Sequence, residues 1–173
     1  DARLGEVVAL VSRSIETAHA MSRGLAPVDP EHGGLRGALQ RLVEAATRQS
    51  GVRGELRFEL PASLQFSAEQ STHLLRIAQE AVSNALRHGE PRSIVVAVSS
   101  DGEYATLAVS DDGRGFPDDH DPQRGLGLKT VRYRASALRG DLQILRQCAH
   151  APHGPGITLI CRVPVHSRGP SAQ

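Results

Sequence analysis

The stretch EAVSNALRH, residues 80–88, closes an amphipathic pattern that starts near Ser67. At about 100° per residue, Leu74, Leu75, Ala78, Ala81, Val82, Ala85 and Leu86 fill one broad apolar arc of a helix. Glu80, Asn84, Arg87 and His88 fill a separate arc. Glu80 and Asn84 are neighbours one turn apart, as are Asn84 and His88. A solvated face is the ordinary explanation of such an arc. The chemical alternative is that a carboxylate and an amide oxygen one turn apart hold a hard cation, directly or through its waters. Arg87 beside them suits a phosphate oxygen.

Working outward, Ser67 and Gln70 form a capping box at the start of a helix expected to reach His88. Upstream, residues 33–51 read as a helix closed by Gly51, and GELRFEL, 54–60, alternates as a strand that stops at Pro61. Downstream, 92–100 and 104–111 read as strands joined by a tight hairpin at Asp101-Gly102. A helix over 126–139 ends at Gly140, and strands follow at 141–147 and 156–165. Hairpins recur without regular β-α-β alternation, so the expected class is α+β, an α/β sandwich with a mostly antiparallel mixed sheet covered by helices.

Residues 3–25 carry a heptad seam of Leu4, Val8, Val11, Ile15, Ala18, Ser22 and Leu25, ended by Pro27. Such a seam faces another helix in a bundle, and no second heptad helix lies nearby. The chain opens on this pattern without Met, as a piece of a longer protein would. The organisation expected is one long bundle helix over 1–27, a domain over 28–165 and a disordered tail over 166–173.

Composition narrows the function. The 173 residues carry a formal net charge of +1, with three Phe, two Tyr and no Trp. A nucleic-acid surface would need more positive charge, and a single-strand site more aromatic platforms. The longest apolar run, IVVAV at 94–98, is too short to span a bilayer. No signal peptide is visible, and the two cysteines, Cys148 and Cys161, fit a reducing compartment. A cytoplasmic location without membrane contact is the expectation, any anchor lying elsewhere in a longer protein.

Two further motifs carry chemistry. In DDGRGF, 111–116, Asp111 closes an apolar strand, and a buried carboxylate there needs a donor such as a ligand amino group. Gly113 and Gly115 permit positive φ and close backbone approach to a flat ligand, although a plain strand-to-helix turn also uses Asp-Gly. In RGLGLKTV, 124–131, Gly125 and Gly127 flank a helix start, where free N–H groups favour phosphate. Lys129, Arg132 and Arg134 add positive charge, and the pattern is not a P-loop.

In this order (helix E-x-x-x-N, strand D-x-G-x-G, G-x-G at a helix start, a Gly-led last strand) the chain resembles the GHKL superfamily of ATP-binding domains, which share the Bergerat fold. That superfamily includes histidine kinases, gyrase-type topoisomerases, mismatch-repair ATPases and the ninety-kilodalton heat-shock chaperones. EAVSNALRH resembles its N box, DDGRGF its first glycine box and GLGL its second. RGLAPVDPEHGGLRGALQRLVE, 23–44, and GLGLKTVRYRASALRGDLQI, 125–144, resemble sensor histidine kinases of the nitrate- and desaturase-regulator type.

The resemblance implies ATP and Mg²⁺ as ligands. Asn84 would ligate the metal, and Glu80 would order its water shell or act as a base. Arg87, His88 and Lys129 would lie near the phosphates, with Gly125, Leu126 and Gly127 at their end of the pocket. Asp111 would accept from the adenine amino group, with Gly113 and Gly115 shaping the pocket, and 116–124 would form a lid. The implied partners are a bundle domain carrying the phosphoacceptor histidine, a response regulator and, in the full-length protein, a second copy of the chain.

Two departures stand out. The family's Gly-Thr in the last strand is Gly156-Ile157 here, with Thr158 one position later. The only His-Asp pair, His120-Asp121, falls in the expected lid, and His19 has no acidic neighbour. His150 and His153 read as exposed loop residues. The expected function is the catalytic domain of a sensor histidine kinase. The alternatives are an anti-sigma-type protein-serine kinase on the same fold and a nucleotide-sensing module that transfers nothing.

Overall fold

The computed structural model describes residues 28, 33–115, 126–146 and 156–165. The helix expected over 3–25, the lid with Gly125, the histidines at 120, 150 and 153, Cys148 and the tail lie outside the described residues. Among the described residues, three α-helices, α1 (Gly34–Ser50), α2 (Ala68–Asn84) and α3 (Leu126–Ala137), are interspersed with five strands. The strands are β1 (Arg53–Glu59), β2 (Ser93–Ser100), β3 (Tyr104–Asp111), β4 (Asp141–Arg146) and β5 (Ile157–Pro164). They form one sheet in the order β1-β2-β3-β5-β4. Only β1 pairs parallel, with β2, and the other pairings are antiparallel, as the expected mixed sheet requires. Among the described residues no helix is long and apolar enough to cross a membrane.

The period-2 pattern of the strands sends one set of side chains to the helices. Ile94, Val96 and Val98 of β2, Leu107 and Val109 of β3, and Leu159, Cys161 and Val163 of β5 are buried on this face. Leu39, Leu74, Ile77 and Val131 meet them from the helices, at 1 % exposure or less. Each such aliphatic side chain contributes about 1.5–3 kcal/mol of transfer free energy. Aliphatic burial therefore suffices for a core with no Trp. Gly54 brings α1 down on β1, because a Cβ there would stand 2.6 Å from Val43 Cγ1.

Local signals explain most boundaries. Gly51, at φ 69°, ends α1 with its N–H on the Thr47 carbonyl. The capping box of α2 is formed: Ser67 Oγ accepts from Gln70 N, and Gln70 Oε1 accepts from Ser67 N, both at 3.0 Å.

Two expectations are corrected. The α-helix of EAVSNALRH stops at Asn84, and Ala85–Gly89 form one π turn. The β2–β3 turn centres on Gly102-Glu103, one residue later than expected. Asp101 N donates to the Tyr104 carbonyl at 3.1 Å, and Asp101 Oδ1 takes the N–H groups of Glu103 and Tyr104. Asp101 is thus the turn's first corner, and Gly102, at φ 95°, is the residue that needs the left-handed region.

Candidate functional site

The C-terminal end of β3 and the N-terminal ends of β2 and β5 lie at the same end of the sheet, since Asp111 pairs with Ile94 and with Ile157. The π turn arrives at this end too. Arg114 N donates to the Gly89 carbonyl at 2.8 Å, and Gly156 N to the Gly113 carbonyl at 2.9 Å. Three glycines from distant parts of the chain therefore hold their backbones together around Asp111.

Close approach requires glycine here. A Cβ on Gly113 would run into the Gly89 carbonyl, and one on Gly156 into the Asp111 carbonyl. Gly115 serves differently, through its φ of 76°. In DDGRGF, Gly113 thus permits a close contact with the Gly89 backbone and Gly115 permits the turn.

Among the described residues Asp111 is the sole buried charged side chain. Its Oδ1 accepts the Gly113 N–H at 2.9 Å. Burial pushes its carboxyl above the ordinary carboxylate range and Asp112 adds to the rise, against the lowering by the N–H groups of Gly113 and Ile157. A carboxylate so placed gains from one more donor. The adjacent Asp112 has a different task, since its Oδ1 takes the N–H groups of Arg92 and Ser93 at 2.8 Å and fastens the loop to β2.

On the other side, Glu80 and Asn84 are half-buried on the last turns of α2. The first turn of α3 crosses Glu80 so closely that a Cβ on Gly127 would overlap its carboxylate. The fold therefore brings the start of α3 against Glu80, joining two motifs that lie far apart in sequence. Among the described residues, no group of three or more His, Cys, Asp or Glu is placed to hold a metal.

The regular wheel drawn through Arg87 and His88 ends at Asn84, because a π turn follows another period. Arg87 turns back along the helix to donate to Ser83 Oγ. His88 and Lys129 are exposed. Leu126 is the first residue of α3. Sequence reading missed Gly89 and Asp112. The signal for Gly89 was weak, since His88-Gly89-Glu90-Pro91 looks like any helix end.

Ile157 shares the sheet face of Asp111, and Thr158 turns to the opposite face, where its Oγ1 lies 3.0 Å from Ser110 Oγ. The departure noted in the last strand thus puts Ile157 beside Asp111 and the Thr158 hydroxyl in a cross-strand pair with Ser110.

Residues 69–167 match the family described as histidine kinase-, DNA gyrase B- and HSP90-like ATPase. The nitrate/nitrite sensor protein NarX of Escherichia coli (strain K12) is 37 % identical over 114 residues, 66 % of this chain and 19 % of that protein. The sensor protein VraS of Staphylococcus epidermidis is 34 % identical over 88 residues, 51 % of this chain and 24 % of that protein. The chain thus spans about a fifth of the length of NarX. Among solved structures, the histidine kinase domain of the Erythrobacter litoralis EL346 blue-light activated histidine kinase superposes with a TM-score of 0.58 at 28 % identity. That match covers 76 % of this chain and 61 % of that one.

Proposed function

Because the chain belongs to the histidine kinase-, DNA gyrase B- and HSP90-like ATPase family, we propose that it is the ATP-binding catalytic domain of a sensor histidine kinase. It would transfer the γ-phosphoryl group of Mg·ATP to a histidine on a bundle domain, for onward signalling to a response regulator. Residues 1–27 would be the second helix of that bundle, paired with another copy in the full-length protein. The likeness to NarX and VraS, both sensor proteins, favours this reading over a serine kinase or a silent module.

The observation that carries the proposal is the buried Asp111 carboxylate in its glycine-lined niche, with one oxygen capped by Gly113. It is an acceptor waiting for an amino group, which adenine has and guanine lacks at the corresponding edge. Asn84 and Glu80 would hold Mg²⁺, which would neutralise phosphate charge there. The start of α3, with Gly127 and Lys129, would face the phosphates with unpaired N–H groups and positive charge. Glu80 would order water or accept a proton beside them.

Calorimetric titration with ATP, with and without Mg²⁺, tests the reading. Saturable 1:1 binding that strengthens with Mg²⁺ and weakens at least about tenfold in Asn84→Asp is expected. Equal affinity with and without the metal in both proteins would sink the metal assignment.

A further inference from the structure

Gly89 is not explained by the needs of its own backbone. Its φ lies outside the left-handed region, unlike that of Glu90 next to it, at 48°. Space does not demand glycine either. A Cβ at residue 89 would sit 3.4 Å from Asp111 Oδ1, 3.8 Å from Pro91 Cδ and 3.9 Å from Gly113 Cα, which are ordinary contacts. A methyl fits, and it would point at the carboxylate. The π turn gives residue 89 this aim. Its carbonyl is fastened to Arg114 N at 2.8 Å, so the direction is held from both sides.

Among the described residues, the carboxylate of Asp111 takes its donors from backbone N–H groups, those of Gly113 and Ile157. Its cross-strand neighbours on the same face are Ile94 and Ile157, which add no side-chain donor. Position 89 is therefore a place from which one added side chain would change the donors or the room at Oδ1.

We propose that Gly89 is a specificity-determining residue of the nucleotide site, whose missing side chain leaves Asp111, among the described residues, with backbone donors only and open to the base's amino group. A hydroxyl at this position would donate to Oδ1 and compete with that amino group. A branched side chain would push the carboxylate off the Gly113 N–H. The inference rests on reading Asp111 as the acceptor for the base.

The test is displacement of a fluorescent ATP analogue by ATP, by inosine triphosphate and by inorganic triphosphate. Inosine triphosphate differs from ATP at the six-position, where an oxo group replaces the amino group. Gly89→Ala is expected to keep the wild-type ratio of ATP to inosine triphosphate affinity within about twofold. Gly89→Ser should lower that ratio at least about threefold. Gly89→Val should weaken ATP about tenfold and leave inorganic triphosphate unchanged. A Ser variant that discriminates like the Ala variant overturns the proposal, as does a Val variant that loses ATP and triphosphate alike. If the Val variant does not fold, the Ser and Ala pair decides. Asp111→Asn separates the layers: discrimination surviving in it refutes the base reading itself. Discrimination lost there but untouched in every Gly89 variant refutes only the role of Gly89.

Discussion

Asp111 and Asp112 are adjacent and chemically identical, and the fold gives them opposite duties. Asp112 spends its Oδ1 on two backbone N–H groups of the Arg92-Ser93 segment, whereas Asp111 is buried and faces the N–H groups of Gly113, at 2.9 Å, and of Ile157. The motif DDGRGF showed that a carboxylate closes an apolar strand and that, once buried, it would need a donor. It could not show that Asp112 would be consumed locally, because that depends on β2 standing beside it. The sign of the Asp111 shift has two consequences. Its folded-state pKa is raised by burial, so the folded protein binds a proton more readily than the unfolded chain. Its charged form therefore opposes folding at neutral pH, and that penalty fades as pH falls through the raised pKa. Asp111→Asn is expected to raise the melting temperature of the nucleotide-free protein at pH 7 by about 2 °C or more, with the gain shrinking in acid. The same variant should weaken ATP at least about tenfold, because an amide donor would face the amino donor of the base. Wild-type affinity for ATP should likewise fall as Asp111 takes up its proton. Thermal melts and calorimetry from pH 7 down to about pH 5 read both. Unchanged ATP affinity in Asp111→Asn removes the adenine assignment.

Helix α2 was legible to within one turn, and that turn matters most for the site. Ser67 and Gln70 announce its start, and both hydrogen bonds of the capping box are made. Its end was not legible, because a π turn changes the period within five residues, fewer than a periodicity can register. The long-range bond from Arg114 N to the Gly89 carbonyl is made at this turn, and nothing in EAVSNALRH announces Arg114. The β2–β3 hairpin went astray for a related reason: the Asp101 side chain takes two backbone N–H groups and moves the turn on by one residue. Helix α3 shows the converse, since Gly127 was singled out for phosphate yet also meets a neighbour. Its Cα faces the Glu80 carboxylate, which is the far end of a flexible side chain and can swing aside. Gly127→Ala is therefore expected to shift the melting temperature by no more than about 2 °C. It should nonetheless cut phosphoryl transfer at least about tenfold, because Glu80 must leave its place. A variant with full activity would mean that the position of Glu80 against α3 is immaterial to the reaction.

The described residues form a sheet with helices on one face, and the proposed site gathers at the end where β3 stops and β2 and β5 begin. The core beneath was readable because alternation in the strands and the 3.6-residue period in the helices agree on the same inward set. Cys161 lies in that core, fully buried, with its thiol pushed up to about 12 by burial and by Asp141. In a Cys148→Ser background it should react with thiol reagents at pH 8 only as fast as the protein unfolds, which a denaturant series would show. The site's product is harder to read from this chain, because the groups assigned to the nucleotide are not the groups that receive the phosphate. Asp111, Asn84, Glu80 and Gly127 serve ATP in the proposed reading. No histidine of the sequence stands beside an acidic residue in a helical pattern, His120 preceding Asp121 in a run of Asp, Pro and Gly. Transfer should therefore run in trans. Incubated alone with labelled Mg·ATP, these 173 residues are expected to acquire no acid-labile phosphate. With a bundle domain of the cognate kinase carrying its phosphoacceptor, label should appear on the bundle, and Glu80→Gln should slow it at least about tenfold. Acid-labile label on the chain alone would make His19 and His120 the first residues to replace. Tight ATP binding with no transfer to the bundle would favour a nucleotide-sensing module, because positioning a phosphate that never leaves needs only the niche around Asp111 and the start of α3.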